Sequence, residues 1–312
     1  MELNRIQRIT VIGAGLMGHG IAQEFALAGF EVALFSRTDE GARQAIANIR
    51  ANLERLTELG IVRPDQADAA PMRVRPTREF DAAVGDADLV IEAVPENLAL
   101  KQELFERLDA VSPEGAILAS TTSTYMPSQL ATATHRPERV VVTHYFNPPY
   151  LVPLVEIVRG EATSDDVLSA VHGLLRQIGK RPVVVQKEVP GFIGNRLQAA
   201  LLREALWMVQ RGVATPEDVD TVIKNSIGRR WAVAGVFEIF DLGGWDVVTS
   251  AASSIIADLE SSSELPQVAL ERVEKGELGV KTGKGFYEWT PDSADALRRR
   301  LTQALVRIEQ WS

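Results

Sequence analysis

The sequence predicts an α/β fold, in which a doubly wound, mostly parallel sheet is followed by a smaller, all-helical domain. Three observations lead to this prediction. Short apolar, β-branched runs alternate with helical patterns up to residue 187. A glycine-rich turn joins the first of these strands to the first helix. Beyond Pro190 long helical patterns take over, and all five tryptophans lie there. We therefore expect one domain over residues 1–187 and another over residues 188–312.

Each predicted strand is a short aliphatic run, which is typical of strands buried on both faces of a parallel sheet. We expect strands at Ile9–Ile12, Glu31–Phe35, Ala87–Val94, Ala116–Ser120, Val140–Thr143, Leu154–Val158 and Pro182–Gln186. Apolar residues at helical spacing predict helices around Ile21–Ala26 and at Asp39–Leu59, Leu100–Leu108 and Asp165–Ile178. In an open parallel sheet, the loops after the strands line the ligand crevice.

The turn after the first strand reads Gly13-Ala14-Gly15-Leu16-Met17-Gly18. Its position between a strand and a helix is the context in which a G-x-G-x-x-G motif indicates dinucleotide binding. Gly13 would make the tight turn, Gly15 would admit a pyrophosphate, and Gly18 would let the helix pack closely on the strand. The N–H groups at the start of the helix would bind the anion. The alternative is a glycine-rich turn in another kind of α/β protein.

The end of the second strand bears on which dinucleotide binds. NAD enzymes usually carry Asp or Glu there to hold the ribose 2′-OH, whereas this chain has Ser36 followed by Arg37 and Thr38. A hydroxyl and a guanidinium suit a 2′-phosphate, so we expect NADP rather than NAD. The alternative is that Arg37 is solvated and that Thr38 or Asp39 caps the next helix.

Composition excludes several classes of protein. The 312 residues are 46% hydrophobic and 24% charged, as expected for a globular protein. The net charge of -9, with no basic tract, argues against nucleic acid or an anionic membrane as a partner. No cysteine is present, so we expect no disulfide and no thiolate metal site, and we predict no metal at all. The absence of a signal-peptide pattern or a long apolar run predicts a cytoplasmic location.

A bound nicotinamide implies hydride transfer, and oxidation of an alcohol also needs a base, for which histidine is the usual choice. Of four histidines, only His144 lies at the carboxyl end of a predicted strand. Glu156 follows in the next strand among apolar residues, where a carboxylate is costly to bury without a partner. This pattern suggests a pair in which Glu156 accepts from Nδ1 of His144. The alternative is a structural histidine and a solvent-facing glutamate.

Several motifs together resemble the 3-hydroxyacyl-CoA dehydrogenase family over nearly the whole chain. The motifs that carry the resemblance are Gly13–Gly18, Glu96-Asn97 with Lys101, Ser123, His144-Tyr-Phe-Asn147-Pro148, Glu156, Gly191-Phe-Ile-Gly-Asn195-Arg196 and Lys281-Thr-Gly-Lys-Gly-Phe-Tyr287. The resemblance implies a Rossmann-type domain followed by a helical domain that forms a homodimer.

The resemblance also implies site residues. His144 would be the base and Glu156 its orienting partner, Ser123 would hydrogen-bond the reacting oxygen, and Asn195 would hold the substrate. The residues on the nicotinamide side of the cofactor would be Glu96, Lys101 and Asn147. Two of these have simpler alternatives: Ser123 satisfying turn backbone, and Lys101 with Glu96 forming an exposed ion pair of little energetic value.

Two stretches, 144–156 and 186–198, resemble the branch that contains L-gulonate 3-dehydrogenase and lambda-crystallin, which acts on free 3-hydroxy acids. That branch has an arginine where this chain has Arg230, and a guanidinium can clamp a free carboxylate. The alternative is a solvated helix end. The chain departs from the family in two places. It lacks the Asp at the end of the second strand, and it has Gly235-Val236-Phe237 where Gly-Pro-Phe is common.

These observations predict an NAD(P)-dependent oxidoreductase that oxidises the 3-hydroxyl of an L-3-hydroxy acid. One alternative is an L-3-hydroxyacyl-CoA dehydrogenase, whose substrate would be the CoA ester. An alternative of another class is a non-catalytic, dinucleotide-binding structural protein.

Overall fold

An eight-stranded sheet organises the first part of the chain. The structure is a computed structural model that describes residues 6–309; Trp311, one of the five tryptophans, lies outside them. The strands are β1 (Arg8–Ile12), β2 (Glu31–Phe35), β3 (Val74–Thr77), β4 (Leu89–Glu92), β5 (Ile117–Ser120), β6 (Val140–Tyr145), β7 (Leu154–Val158) and β8 (Arg181–Val185). Their order is β3-β2-β1-β4-β5-β6-β7-β8, and each neighbouring pair is parallel except β6 and β7. The predicted doubly wound sheet is confirmed.

Helices cover both faces of this sheet. They are α1 (Leu16–Leu27), α2 (Asp39–Glu58), α3 (Pro64–Ala69), α4 (Phe80–Val84), α5 (Leu98–Val111), α6 (Pro127–Ala131) and α7 (Asp165–Gln177). One apolar core joins the sheet to α1, α2 and α7. A second core joins the other face to α4, α5 and α6. Strand order reverses between β1 and β4, which is where an open α/β sheet binds its ligand.

The sequence analysis missed one strand and ended another too early. β3, with the sequence Val-Arg-Pro-Thr, lacks the apolar pattern because it is an edge strand, where Pro76 needs no ladder N–H. β6 continues to Tyr145 because its antiparallel ladder with β7 extends that far. His144 therefore lies within the strand and directly opposite Glu156, rather than in the loop after it.

The second part of the chain is helical, as predicted. Its helices are α8 (Gly194–Gln210), α9 (Pro216–Val222), α10 (Gly228–Trp231), α11 (Val236–Gly243), α12 (Trp245–Asp258), α13 (Gln267–Glu274) and α14 (Pro291–Glu309). The chain divides into two compact units, Met1–Asn195 and Arg196–Ser312; the predicted boundary after residue 187 stays a prediction. Within residues 6–309, no helix combines the length and apolar character needed to cross a membrane.

Candidate active site

Gly13, Gly15 and Gly18 play three different parts in the turn between β1 and α1. Gly13 has a φ of 112°, and a Cβ there would lie 2.5 Å from the Ala93 carbonyl oxygen. A Cβ on Gly18 would lie 1.7 Å from the carbonyl oxygen of Gly13. A Cβ on Gly15 would have no atom of residues 6–309 within 4 Å. The first and third glycines therefore serve the fold, whereas the second leaves the backbone open to a ligand.

A cavity of about 910 Å³ opens above this turn. It is lined by Gly13–Met17, by Ser36–Thr38 after β2, by Ala93–Glu96 after β4, and by Thr121 and Ser123 after β5, together with Phe80, Glu103 and Arg107. Gly15, the N-cap residue of α1, has no side chain to cap the helix, and Leu16 is 65% exposed, so within the described part of the chain the first N–H groups of the helix are left for another acceptor. The open glycine, the uncapped helix and the cavity fit a dinucleotide.

Ser36 and Arg37 differ in their availability at the cavity. The Ser36 side chain is buried, and its Oγ donates to the Thr38 carbonyl oxygen at 3.0 Å. Thr38 caps α2 by accepting from the Gly41 N–H, as the alternative interpretation expects. Arg37 is exposed and lines the cavity. Of the two residues proposed for a 2′-phosphate, Arg37 is therefore the one with a side chain open to a ligand.

Ser123, His144 and Glu156 form a continuous hydrogen-bonded series. Nε2 of His144 lies 3.0 Å from Oγ of Ser123, and Nδ1 lies 2.7 Å from Oε2 of Glu156. The side chains of His144 and Glu156 are only 3% and 1% exposed, whereas Ser123 is exposed and lines the cavity. Burial at this level excludes the solvent-facing glutamate that was the alternative.

Two aromatic rings hold the imidazole of His144 in place. The Phe146 ring centroid lies 4.7 Å from it, and the Phe192 centroid lies 5.4 Å away. Phe192 is completely buried. Together with the carboxylate of Glu156, the two rings restrict the orientation of the imidazole, in which Nε2 faces Ser123.

The other oxygen of Glu156 also has partners. Oε1 accepts from the backbone N–H groups of Ile193, at 2.9 Å, and Gly194, at 2.8 Å. Burial opposes the charge of this carboxyl, but the hydrogen bonds from His144, Gly194 and Ile193 outweigh it and hold the pKa below its ordinary value. Glu156 is therefore ionised at neutral pH.

A second buried carboxylate supports the loops of the cavity, and sequence reasoning missed it. Oε1 of Glu92 accepts from the Lys101 ammonium and from the Val94 N–H, both at 2.7 Å. Oε2 accepts from Oγ of Ser120 at 2.5 Å. The signal that would have found Glu92 is the one applied to Glu156, an acidic residue within an apolar strand. Lys101, predicted on the nicotinamide side, is itself 1% exposed and is not among the cavity-lining residues.

Glu96 connects this buried group to the series around His144. Its Oε2 lies 3.2 Å from the Lys101 ammonium, and its Oε1 accepts from the Ser123 N–H at 3.2 Å and from the Thr122 hydroxyl. Burial opposes ionisation, but the hydrogen bond from Thr122 and the charge of Lys101 hold the pKa of Glu96 below its ordinary value. Its side chain is 40% exposed and lines the cavity. Because Lys101 is buried, this is not the exposed ion pair considered as an alternative.

The remaining predicted residues lie in three places. Asn147 is exposed in the loop after β6. Asn195 is half-buried in the first turn of α8, directly after Gly194. Arg230 is exposed in α10, in the second compact unit. Among residues 6–309, no group of three or more His, Asp or Glu side chains is placed to hold a metal ion.

Comparison with known proteins decides the family. Residues 8–189 match the model of the 3-hydroxyacyl-CoA dehydrogenase NAD binding domain, and residues 191–289 match that of the 3-hydroxyacyl-CoA dehydrogenase C-terminal domain. The chain belongs to the 3-hydroxyacyl-CoA dehydrogenase family. Its N-terminal part is thus the NAD-binding domain of that family, and the prediction of a nicotinamide-dependent oxidoreductase is confirmed at this level.

Members of the 3-hydroxyacyl-CoA dehydrogenase family with different substrates resemble the chain. L-carnitine dehydrogenase of Burkholderia mallei is 40% identical to this chain, over 78% of this chain's length and 74% of its own length. A probable 3-hydroxybutyryl-CoA dehydrogenase of Bacillus subtilis is 36% identical over 91% of this chain and 98% of its own. The structure of 5-formyl-3-hydroxy-2-methylpyridine 4-carboxylic acid 5-dehydrogenase, described as an NAD+ dependent dismutase, superimposes with a TM-score of 0.91 at 36% identity over 98% of both chains. These relatives support an enzyme rather than a non-catalytic structural protein.

Proposed function

We propose that this enzyme oxidises the 3-hydroxyl group of an L-3-hydroxy acid reversibly, with a nicotinamide dinucleotide as hydride acceptor. The observation that carries the proposal is the series Ser123–His144–Glu156, which begins at the dinucleotide cavity and ends at a buried, ionised carboxylate. The bound nicotinamide would supply hydride acceptance at the substrate carbon. The chain itself would supply the base, its orientation and the binding groups.

In the proposed mechanism His144 is the general base. Glu156 accepts the Nδ1 proton and so leaves Nε2 as the acceptor, which takes the proton of the substrate hydroxyl. The negative charge of Glu156 then stabilises the imidazolium, as a carboxylate does behind the histidine of a catalytic triad. Ser123 would hold the reacting oxygen of the substrate, since its Oγ lies within hydrogen-bond distance of Nε2. Asn195 would hold the substrate, and Glu96 and Asn147 would border the nicotinamide, with Lys101 supporting Glu96.

A free carboxylate is the substrate group that we favour over a CoA thioester. Both L-carnitine dehydrogenase and the pyridine carboxylic acid dehydrogenase are named for substrates that carry a free carboxylate. The latter also matches this chain over 98% of both chains. Arg230, exposed in α10, would clamp the carboxylate with paired hydrogen bonds.

Substitution of Arg230 separates the two substrate classes. Arg230→Ala should raise KM for a free hydroxy acid about 10- to 100-fold, the worth of a charge-assisted hydrogen bond, and should leave KM for the CoA ester nearly unchanged. Arg229→Ala is the matched control, since Arg229 is its exposed neighbour in the same short helix. An equal effect of both substitutions, or a loss confined to the CoA ester, would favour the acyl-CoA alternative.

NADP is the cofactor that we favour beyond the NAD binding of the family. No carboxylate follows β2 directly, and Arg37 is exposed at the cavity there. A guanidinium at that position would bind a 2′-phosphate, which an Asp or Glu would repel. Arg37→Ala should lower kcat/KM for NADP by about tenfold or more while sparing NAD. Arg43→Ala, an exposed arginine of α2, is the control. A tenfold preference of the unaltered enzyme for NAD would end the NADP proposal.

The direct test of the proposed function is a spectrophotometric screen. Hydroxy acids and their CoA esters are offered with NAD and with NADP, and formation of the reduced cofactor is followed by its absorbance. Turnover of at least one L-3-hydroxy acid is expected, with the D-enantiomer inactive. No turnover of any hydroxy acid, together with tight cofactor binding, would contradict the proposal.

Self-association through the helical unit is also proposed. Large apolar side chains are exposed on its helices, among them Leu202, Phe237, Leu242, Trp245 and Ile256. Exposed apolar residues in this number are typical of an interaction surface. Light scattering coupled to size-exclusion chromatography should give twice the mass of one chain, and Phe237→Glu should shift the measured mass toward that of a single chain.

A cytoplasmic location stays a prediction of the sequence analysis.

A further inference from the structure

Glu156 divides its two carboxylate oxygens between two different tasks. Oε2 faces Nδ1 of His144, whereas Oε1 accepts from two consecutive backbone N–H groups, those of Ile193 and Gly194. The two sets of partners lie in different parts of the chain, separated from Glu156 by 12 residues on one side and by 37 and 38 on the other. One buried carboxylate therefore ties the strand of the base to the segment that opens α8.

The N–H groups of Ile193 and Gly194 stand at the N-terminus of α8, where no intrahelical acceptor exists for them. They converge on one oxygen next to Phe192, whose φ is 52°. Among the residues that the structure describes, Phe192 is the only non-glycine with a positive φ. A bulky residue in this region is strained, and such strain persists only where surrounding contacts enforce it, most often at functional sites. The carboxylate of Glu156 supplies such a contact.

Packing around His144 reinforces the same connection. Phe192 is fully buried with its ring against the imidazole, and Phe146 lies on the imidazole as well. A Cβ on Gly194 would lie 2.5 Å from Cζ of Phe146, so a larger residue at the start of α8 would displace the ring that lies on the imidazole. Asn195 follows immediately. The position of the first turn of α8 relative to the base is therefore set by contacts within this cluster.

We propose that Glu156 positions two groups, the imidazole of His144 and the side-chain amide of Asn195 that binds the substrate. It positions Asn195 because it fixes the start of α8. The same carboxylate then sets which nitrogen of His144 is the acceptor and where the side chain that holds the substrate begins. This inference rests on the proposed function in one respect, namely that Asn195 binds the substrate.

Two substitutions of Glu156 separate its two tasks. In Glu156→Gln the carbonyl oxygen can still accept from Ile193 and Gly194, but the amide NH₂ faces Nδ1 and forces the wrong tautomer. In Glu156→Ala both tasks are lost. We expect kcat to fall about 100-fold or more in both variants. KM for the hydroxy acid should stay within about threefold in Glu156→Gln and rise about tenfold or more in Glu156→Ala. Equal KM values in the two variants would overturn the proposal.

Amide hydrogen exchange gives a readout that needs no turnover. In the full-length protein, exchange at Ile193 and Gly194 should be unchanged in Glu156→Gln and faster in Glu156→Ala. Equal acceleration in both variants would contradict the inference even if the enzyme is fully active. If the unaltered enzyme turns over no hydroxy acid, the proposed function fails, and the exchange comparison still decides whether Glu156 holds the start of α8.

A matched pair at Phe192 covers the case in which Glu156→Ala does not fold. Phe192→Gly and Phe192→Ala remove the same ring, but only glycine takes a positive φ without strain. The inference predicts faster exchange at Ile193 and Gly194, and a higher KM for the hydroxy acid, in Phe192→Ala than in Phe192→Gly. The reverse order, or no difference, would contradict a role for the left-handed backbone.

Discussion

The ammonium of Lys101 lies 2.7 Å from Oε1 of Glu92, and the two side chains are 1% and 0% exposed. This buried ion pair lies below the loops that line the dinucleotide cavity, since Glu92 also binds Ser120 and Lys101 also contacts Glu96. The loops after β4 and β5 are thereby joined by charge-assisted hydrogen bonds away from solvent, where each unpaired member would be costly.

Removing one member of this pair should be far more damaging than removing both. Lys101→Met removes the counter-charge of the buried Glu92, and we expect a loss of about 3–5 kcal/mol in the free energy of unfolding. The double variant Lys101→Met/Glu92→Gln should recover most of it, because no buried charge remains. Urea unfolding measures both.

The control for the buried pair is an exposed one. Arg63 and Asp65 form a salt bridge with side chains that are 71% and 68% exposed, so Arg63→Met should leave the unfolding midpoint unchanged. A double variant that is less stable than Lys101→Met would show that the buried charge of Glu92 does not cause the loss of stability in Lys101→Met.

One added methyl group should have different effects at Gly15 and at Gly18, two of the glycines after β1. Gly15→Ala should leave the thermal unfolding midpoint near that of the unaltered protein, because its Cβ meets no atom of the described residues within 4 Å. It should weaken dinucleotide binding about tenfold or more, since that methyl group occupies the approach of the pyrophosphate. Gly18→Ala should lower the midpoint, because its Cβ would collide with the carbonyl of Gly13. Calorimetry and a cofactor-binding titration test the contrast, and equal stability losses would contradict it.

Replacing the proposed base should affect turnover without affecting the cofactor. His144→Gln should lower kcat about 10²- to 10⁴-fold, the usual contribution of a general base. The dissociation constant of the dinucleotide should change little, because His144 is not among the residues that line its cavity. His172→Gln, on α7, is the control and should keep full activity. An active His144→Gln enzyme would require another base.

The stability contributed by Glu156 should depend on pH in a defined direction. Its pKa lies below the ordinary value of 4.5 in the folded chain because hydrogen bonds from His144, Gly194 and Ile193 outweigh the effect of burial. A lowered pKa stabilises the fold above the ordinary pKa, and this contribution is lost as the pH falls through the folded value. The stability difference between the unaltered protein and Glu156→Gln should therefore be largest near neutral pH and shrink below about pH 5. Urea unfolding at several pH values measures it; a difference that grows on acidification would contradict the assignment.

The sequence predicts a buried carboxylate at Glu156 in β7, but the sequence analysis does not identify the one at Glu92 in β4. Glu156 stands among valine, leucine and isoleucine, and this context alone suggested a buried carboxylate with a partner. Glu92 occupies the same context in β4, yet its partner Lys101 lies nine residues away on a helix and gives no local signal. The sequence contains both carboxylates, but only the packing of α5 against the sheet identifies the second partner.

The sequence suggests that His144 pairs with Glu156, but it does not show the relative direction of the two strands that carry them. The two residues face each other because β6 and β7 are antiparallel and in a register that pairs them, in a sheet whose other neighbouring strands are parallel. A one-residue shift in that register would move Glu156 to the opposite face. The spacing of 12 residues is compatible with either arrangement.

The sequence by itself determined the alternation of strands and helices, apart from the edge strand β3, together with the glycine turn and the resemblance to the family, because these depend on local spacing and on motifs read along the chain. Only the tertiary structure decided that Arg37 is open to the cavity while Ser36 is buried, that Lys101 supports Glu96 from within the protein, and that Glu156 binds the start of α8. The physical reason is that burial and hydrogen-bond partnership are set by residues distant in the chain. No local pattern specifies which of them will meet.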